Sequence, residues 1–226
     1  MPIAFSNAPF VLLCCQGRSG STLLLRLLNT ARGYHLMGEN KMAIQNLLHY
    51  YMSLKHMDEV KNTVDEEHYK LAWQNTFDFA EIKNNIYRIF WDMFWHPQKR
   101  VFGFKEIRFG LEDFGNFEDE LNAFKELFPN LKIVFLTRDV KELLKSSWWA
   151  DNPKDSKEYL QRQQKNFTDY IKKIESGATE NSDPFVFPIT YKDIVKKNEN
   201  LYKLFDFLGE PFSEEHYLEV MEKITR

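Results

Sequence analysis

The chain has 226 residues, of which 43% are hydrophobic and 15% aromatic, including 20 phenylalanines. This apolar content suffices for a sizeable core and excludes intrinsic disorder, and the length fits a single α/β domain over residues 1–226. The formal net charge of -3 provides no global basic field for nucleic acid, so any anion site must be a local cluster.

The N-terminal segment 1–6 lacks a basic region and a long apolar stretch, and no run of 18 apolar residues occurs in the chain. We therefore expect a cytoplasmic protein without a membrane span. Cys14 and Cys15 are adjacent, so we expect small core residues in a reducing compartment rather than a disulfide. A reactive thiol is the alternative, and it requires an exposed, electropositive setting.

A polar loop, Gln16–Gly20, follows the apolar run Val11–Cys15 and precedes a helical pattern. The apolar run predicts a buried parallel strand, and the two glycines of the loop permit a sharp turn. Ser21 or Thr22 is expected to cap the next helix, whose free N–H groups attract anions. The loop therefore predicts a phosphate or sulfate site, with an ordinary strand-to-helix turn as the alternative. It is not a Walker A motif, because no lysine follows Gly20.

The first helix is predicted to continue through Leu28 and to end at Gly33, and residues 34–40 are predicted to form a connection. Residues 41–96, including the more polar stretch 61–80, show helical spacing without a clear strand. This pattern predicts a helical insertion between two strands. Its tryptophans are either candidates for a ligand pocket or, more simply, part of the helical core: Trp73, Trp91 and Trp95.

The remaining chain alternates short apolar runs with amphipathic segments, which is typical of a parallel α/β sheet flanked by helices. Pro188 indicates either a sheet edge or the end of the last strand, and Gly209 is expected to cap the first of two closing helices. The predicted strands are Val101–Lys105, Lys132–Thr137 and Phe185–Thr190, and the predicted helices cover 111–128, about 151–176, 198–208 and 213–224.

A second anion site is predicted after the strand Lys132–Thr137. Arg138 emerges at the carboxyl end of this strand, and Asp139 is expected to cap the next helix. Ser146 lies eight residues after Arg138, about two turns down that helix. An arginine fork suits a phosphate dianion, and a hydroxyl can hold the same group. Two anion sites at the carboxyl ends of strands predict a ligand with two separated anionic groups.

Three segments together resemble sulfotransferases. The stretch 17–24 resembles the 5′-phosphosulfate loop of that family, and 135–147 is similar to its 3′-phosphate motif. The late runs 187–194 and 204–212 resemble its C-terminal segment, and 41–96 is the least matched part. The resemblance implies a P-loop-like α/β fold and the donor 3′-phosphoadenosine-5′-phosphosulfate, whose product is 3′,5′-adenosine bisphosphate.

The resemblance also implies roles for individual residues. Arg138 and Ser146 would hold the 3′-phosphate, and Tyr191 matches a tyrosine that reaches the nucleotide. Arg18 would also stabilise charge on the leaving phosphate, because sulfuryl transfer should resemble loose in-line phosphoryl transfer. The residues that would bind the 5′-phosphosulfate are Arg18, Ser19, Gly20, Ser21 and Thr22.

The general base is expected to be a glutamate. Cytosolic members use a histidine two residues after a lysine, but Ile107 stands at that distance from Lys105. Glu39 lies 21 residues after Arg18, which resembles the arrangement of tyrosylprotein-type and some bacterial members. Glu39 would take the proton of the acceptor, best with a pKa raised by partial burial, and Lys105 would neutralise the transferring group. A solvated loop acid is the other interpretation of Glu39.

Glu106 and Arg108 are second choices for catalytic or acceptor contacts, or they form a structural ion-pair network. The six histidines form no metal-ligand motif, so no metal is expected. The expected partner is a small-molecule acceptor with a hydroxyl or amine, without nucleic acid or membrane. The aromatic content of 41–96 and of Trp148 and Trp149 would suit a planar or cationic acceptor.

Two other functions stay open at this point. A P-loop kinase or related phosphotransferase would need Mg²⁺ and the Walker lysine, which is absent from its place. A non-catalytic nucleotide-binding module of the same fold is the second, because fold does not fix function. The basic Arg-Lys-Gly element that cytosolic animal members use near the C-terminus is not evident, so part of the nucleotide contact set differs.

Overall fold

A five-stranded parallel sheet forms the centre of the molecule. The computed structural model describes residues 7–61, 77–110, 117–177 and 184–225. The strands are β1 (Phe10–Cys15), β2 (Tyr34–Met37), β3 (Val101–Glu106), β4 (Leu131–Thr137) and β5 (Val186–Thr190). Their order in the sheet is β2-β3-β1-β4-β5, and every neighbouring pair is parallel. The predicted α/β fold, a parallel sheet flanked by helices, is confirmed.

Helices connect the strands and cover both faces of the sheet. Two long helices, Ala43–Lys61 and Phe79–Phe94, lie between β2 and β3, which confirms the predicted helical insertion, while residues 62–76, including Trp73, lie outside the described ranges. No helix in those ranges is long and apolar enough to cross a membrane. The helices are α1 (Ser21–Leu28), α2 (Ala43–Lys61), α3 (Phe79–Phe94), α4 (Phe117–Leu127), α5 (Val140–Leu143), α6 (Ser147–Ala150), α7 (Pro153–Gly177), α8 (Tyr191–Val195), α9 (Glu199–Leu208) and α10 (Glu214–Thr225).

The central strand β1 is buried along its whole length, and its side chains alternate between two cores. Phe10, Leu12 and Cys14 pack with α2, α3 and α4 on one face, and the intervening residues pack with α1, α9 and α10 on the other. Both cysteines are free and fully buried, as expected of core residues. Burial raises the pKa of the Cys15 thiol to about 12, so this thiol lacks the setting that a nucleophile needs.

The segment predicted as a connection, 34–40, contains strand β2, so that prediction is wrong. Tyr34 and Leu36 point inward and alternate with more exposed neighbours, a pattern too short to stand out in the sequence. The Asn29 side chain both donates to and accepts from the backbone of Leu36, at 2.8 Å each. Helix α1 therefore ends at Leu28 with Asn29 as its cap, and Gly33 turns the chain into β2 instead of ending the helix.

Two further local predictions are wrong near the expected anion sites. Gly20 is the N-cap of α1, in a left-handed conformation with φ 91°, and neither Ser21 nor Thr22 caps the helix. The helix after β4, which Asp139 caps as expected, ends at Leu143. Ser146 therefore does not continue that helix but precedes α6 as its N-cap. In both places a short turn puts the beginning of a helix near the carboxyl edge of the sheet.

The closing part of the chain follows the predictions more closely. Pro188 lies in β5, which is an edge strand, and Gly209 ends α9 with φ 75°. Helix α4 begins at Phe117 within the described residues, while the first part of the predicted helix 111–128 lies outside them. The short helix α8 was not predicted. A capping box between Thr190 and Asp193 begins it immediately after β5.

Candidate active site

The carboxyl ends of all five strands contribute to one cleft of about 410 Å³. Parallel strands bring their carboxyl ends to the same edge of a sheet, where open α/β folds bind ligands. The predicted site residues that line this cleft are Arg18, Gly20, Ser21, Thr22, Glu39, Lys105, Arg138, Ser146 and Tyr191. Ser19 is the exception, because this loop residue is completely buried. The structure thus gathers residues that are separated by up to 173 positions in the sequence.

The loop after β1 has a compact backbone fixed by its neighbours. Arg18 has a left-handed φ of 66°, and the Ser19 amide donates to the Gln16 carbonyl at 3.2 Å. The Trp149 indole N–H donates to the Gly17 carbonyl at 3.0 Å. A Cβ atom on Gly17 would lie 3.0 Å or less from the rings of both Trp148 and Trp149, so a glycine is required for this close packing.

Arg138 connects the predicted 3′-phosphate motif to the loop. Its guanidinium lies over the Tyr191 ring, 4.2 Å from the centroid, and is paired with Glu142 at 2.9 Å. One of its nitrogens also lies 3.5 Å from the Arg18 carbonyl oxygen. Tyr191 in turn packs against Gly20. The two predicted anion motifs therefore share a wall of the same cleft.

Glu39 lies two residues beyond β2 and interacts with two cations. Its Oε1 accepts from Lys105 Nζ at 2.6 Å, and its Oε2 lies 3.7 Å from Arg108. Lys105 Nζ also lies 3.4 Å from Ser21 Oγ on the loop side. The Glu39 side chain is 29% exposed and the Lys105 side chain only 10%. The Lys105 ammonium therefore contacts the Glu39 carboxylate on one side of the cleft and the Ser21 hydroxyl on the other.

Glu106, the second-choice acid, occupies a different environment. Its side chain is fully buried, and Oε1 accepts from the amides of Ile107 and Arg108 and from the Arg108 guanidinium, at 2.9 to 3.2 Å. Glu106 is not among the residues that line the cleft. The contacts of Glu106 correspond to the structural ion-pair network that the sequence offered as one of two interpretations.

Two hydroxyls in the predicted anion motifs are buried without a hydrogen-bond partner in the described part of the chain: Ser19 Oγ and Ser146 Oγ. Buried polar atoms in native proteins are normally paired, so these atoms are available to a ligand or water. Each of these hydroxyls lies in a motif that also contains an arginine, Arg18 or Arg138. Within the described ranges, no group of side chains has the arrangement of a metal site.

Some contacts in and below the cleft were not predicted. Arg26 also lines it, one helical turn beyond Thr22 on α1. Gln16 and Gln164 lie beneath it and bind the backbone of Arg138. The available signals were weak: Gln16 is a polar residue at the end of an apolar strand, and Gln164 follows the buried positions Leu160 and Gln163 of α7.

One family model matches most of the chain. It is described as "Sulfotransferase family" and matches residues 9–214. Among solved structures, sulfotransferase STF9 from Mycobacterium avium is similar over 100% of this chain and 69% of its own, with 10% sequence identity and a TM-score of 0.45. No curated protein matches the chain.

Proposed function

Because the chain belongs to the sulfotransferase family, we propose that it transfers a sulfuryl group from 3′-phosphoadenosine-5′-phosphosulfate to a hydroxyl or amine of a small molecule. One observation carries the choice of donor. Two separate anion motifs, each with an arginine and a buried unpaired serine hydroxyl, meet at one cleft. The family match from residue 9 to 214 also supports a single domain over the chain.

The donor would be held at its two ends. The loop Arg18–Thr22 would bind the 5′-phosphosulfate through backbone N–H groups at the start of α1 and through the Arg18 guanidinium. Arg138 and Ser146 would bind the 3′-phosphate, with Tyr191 supporting the Arg138 guanidinium. The bound donor supplies the sulfuryl group, and the chain itself supplies charge and orientation.

Glu39 is the proposed general base. It lines the cleft and keeps exposed area, whereas Glu106 is fully buried, does not line the cleft and is paired with Arg108 through Oε1. A base must reach the acceptor's proton, so geometry favours Glu39. Lys105, which contacts Glu39 and approaches Ser21, would bring positive charge to the transferring group. Arg18 would offset the charge that develops on the leaving phosphate.

The acceptor would enter beside Trp148, whose side chain lines the cleft and is 55% exposed. A broad exposed ring suits a planar or cationic acceptor through stacking or cation–π attraction. Trp91 and Trp95 stack on each other at 4.5 Å on and after α3, and they do not line this cleft. The described tryptophans of the helical insertion are therefore not part of the proposed acceptor site.

An acceptor screen tests the proposed reaction. Release of 3′,5′-adenosine bisphosphate is measured from 3′-phosphoadenosine-5′-phosphosulfate with panels of phenols, alcohols, amines, sulfatable peptides and acidic glycans. We expect release, matched by a sulfated product, with at least one small hydroxyl or amine compound. Product formed only with acidic glycans would contradict the proposed acceptor class.

A further inference from the structure

Gln16 occupies the junction between β1 and the loop, and it is fully buried. Its backbone N–H donates to Leu136 of β4, and its carbonyl accepts from Ser19 in the loop. Its side-chain Nε2 donates to the Leu160 carbonyl of α7 at 3.0 Å. A neutral amide at the end of an apolar strand thus connects three parts of the fold.

The same side chain holds the backbone of Arg138. Gln16 Oε1 accepts from the Arg138 N–H at 3.2 Å and from Gln164 Nε2 at 3.0 Å. Gln164 Nε2 also donates to the Arg138 carbonyl at 2.8 Å. The two glutamines therefore bind both the N–H and the C=O of Arg138. An amide suits this position because it is donor and acceptor at once.

We propose that Gln16 and Gln164 are positioning residues that fix the distance between the two anion sites. The inference rests on the proposed function, in which one ligand places an anionic group at each site. Gln16 is the first residue of the loop at the first site, and Arg138 belongs to the second. Because Gln16 Oε1 accepts from the Arg138 N–H, the loop and Arg138 are held at a fixed distance from each other.

Neither glutamine lines the cleft, and neither carries charge. Their effect therefore comes from geometry and not from the electrostatic potential at the ligand. When two subsites are held at the correct separation, binding of the first anionic group makes binding of the second intramolecular. Rigid spacing lowers the cost of ordering the second contact. Loss of this rigid spacing should lower the affinity for a ligand that uses both sites. It should leave the affinity for a ligand that uses only one site nearly unchanged.

The test compares three adenosine ligands by calorimetry: the 3′,5′-bisphosphate, the 5′-phosphate and the 3′-phosphate. Gln164→Met removes the two N–H donors from a half-buried position on α7. The matched control is Gln161→Met, an exposed glutamine on the same helix. Gln164→Leu also removes these donors without adding charge, and it serves if the methionine variant does not fold.

In the wild type we expect the bisphosphate to bind much more tightly than either monophosphate. In the Gln164 variants we expect its affinity to fall about tenfold, as two lost hydrogen bonds suggest, with monophosphate affinities within about twofold. Gln161→Met should match the wild type for all three ligands.

Two results would overturn the inference while leaving the proposed function in place: an unchanged affinity for the bisphosphate, or an equal loss for all three ligands, which indicates only a structural role. A wild-type protein that does not prefer the bisphosphate would instead contradict the proposed function, and with it the premise of the inference.

Discussion

Glu39 lies between the Lys105 ammonium and the Arg108 guanidinium. Its proposed role as a general base depends on whether these cations stay paired with it. In the structure Lys105 is its nearest partner, at 2.6 Å. A donor bound in the loop would compete for the same ammonium, because Lys105 also lies 3.4 Å from Ser21 Oγ. Release of Lys105 toward the donor would free Oε1 of Glu39 to take the acceptor's proton, while Oε2 stays 3.7 Å from Arg108.

Replacing Glu39 with glutamine should therefore separate catalysis from binding. We expect Glu39→Gln to lower turnover by about 10²- to 10⁴-fold, the usual contribution of a general base, because an amide cannot take the proton. Affinity for 3′,5′-adenosine bisphosphate should stay nearly intact. Steady-state turnover and calorimetry measure the two effects. Glu215→Gln, an exposed glutamate of α10, is the control, and unchanged turnover in Glu39→Gln would refute the assignment.

Arg138 is the second residue whose role a single substitution can test. It is the only predicted 3′-phosphate contact that carries charge. Arg138→Ala should weaken bisphosphate binding by about 2 kcal/mol or more, roughly thirtyfold, through loss of a charge-assisted contact. Titration calorimetry gives this value, with Arg32→Ala, an exposed arginine, as the control. Wild-type affinity in Arg138→Ala would exclude Arg138 from the 3′-phosphate site.

At the scale of elements, the loop between β1 and α1 depends on its contact with α8. Gly20 has a left-handed φ, and a Cβ atom there would overlap the Tyr191 ring. Gly20→Ala should lower the free energy of unfolding by about 2 kcal/mol or more, measured by chemical denaturation. Removing the ring in Gly20→Ala/Tyr191→Ala should recover part of this loss.

Gly38→Ala is the matched control, because a Cβ atom at Gly38 would meet no other atom within 4 Å and the backbone there has no left-handed φ. This substitution should leave the free energy of unfolding within about 0.5 kcal/mol of the wild type. Equal stability of Gly20→Ala and Gly38→Ala would show that the contact between the loop and α8 is not tight.

The packing of α2 on α4 makes stability depend on pH. Burial raises the pKa of Glu120 from 4.5 to about 7, against the opposing effect of His49 at 2.6 Å. The folded state therefore holds an extra proton between these values. The contribution of Glu120 to stability is full below pH 4.5 and is lost as the pH rises through 7.

Glu120→Gln removes this titration. Relative to the wild type it should become more stable as the pH rises from about 5 to about 8, by about 2 kcal/mol. Denaturant titrations across that range measure the difference. Burial also acts on Glu126, but bonds from Lys55 and Tyr51 lower its pKa overall, so Glu126→Gln should instead cost stability near neutral pH. Parallel pH curves for the wild type and Glu120→Gln would contradict the account of Glu120.

Helices and strands could be predicted where the neighbouring residues alone determine them. Strands β1, β3 and β4 are buried apolar runs and were predictable, whereas β2 has only four residues and depends on the Asn29 side chain for part of its pairing. Ser146 was predicted within a helix because nothing in its neighbourhood marks the break after Leu143. Local periodicity identifies long elements, and tertiary contacts decide the short ones.

For the whole molecule, the parallel topology explains why the cleft could be anticipated. The carboxyl ends of parallel strands meet at one edge of a sheet, so the two anion sites at Arg18 and Arg138 were expected to share one ligand. The support beneath the cleft was not predictable in the same way. Gln16 and Gln164 lie 148 residues apart, and only the packing of α7 against the sheet brings their amides together.

Thermal unfolding with and without 3′,5′-adenosine bisphosphate tests the central claim most directly, with ATP and Mg²⁺ as the comparison. At about 100 times Kd the bisphosphate should add roughly 2.7 kcal/mol. For a chain of this size that stabilisation raises the midpoint by about 5 to 10 °C. We predict this shift with the bisphosphate alone. A shift only with ATP and Mg²⁺ would indicate a kinase-like phosphotransferase, and no shift with either would contradict a nucleotide-dependent sulfotransferase.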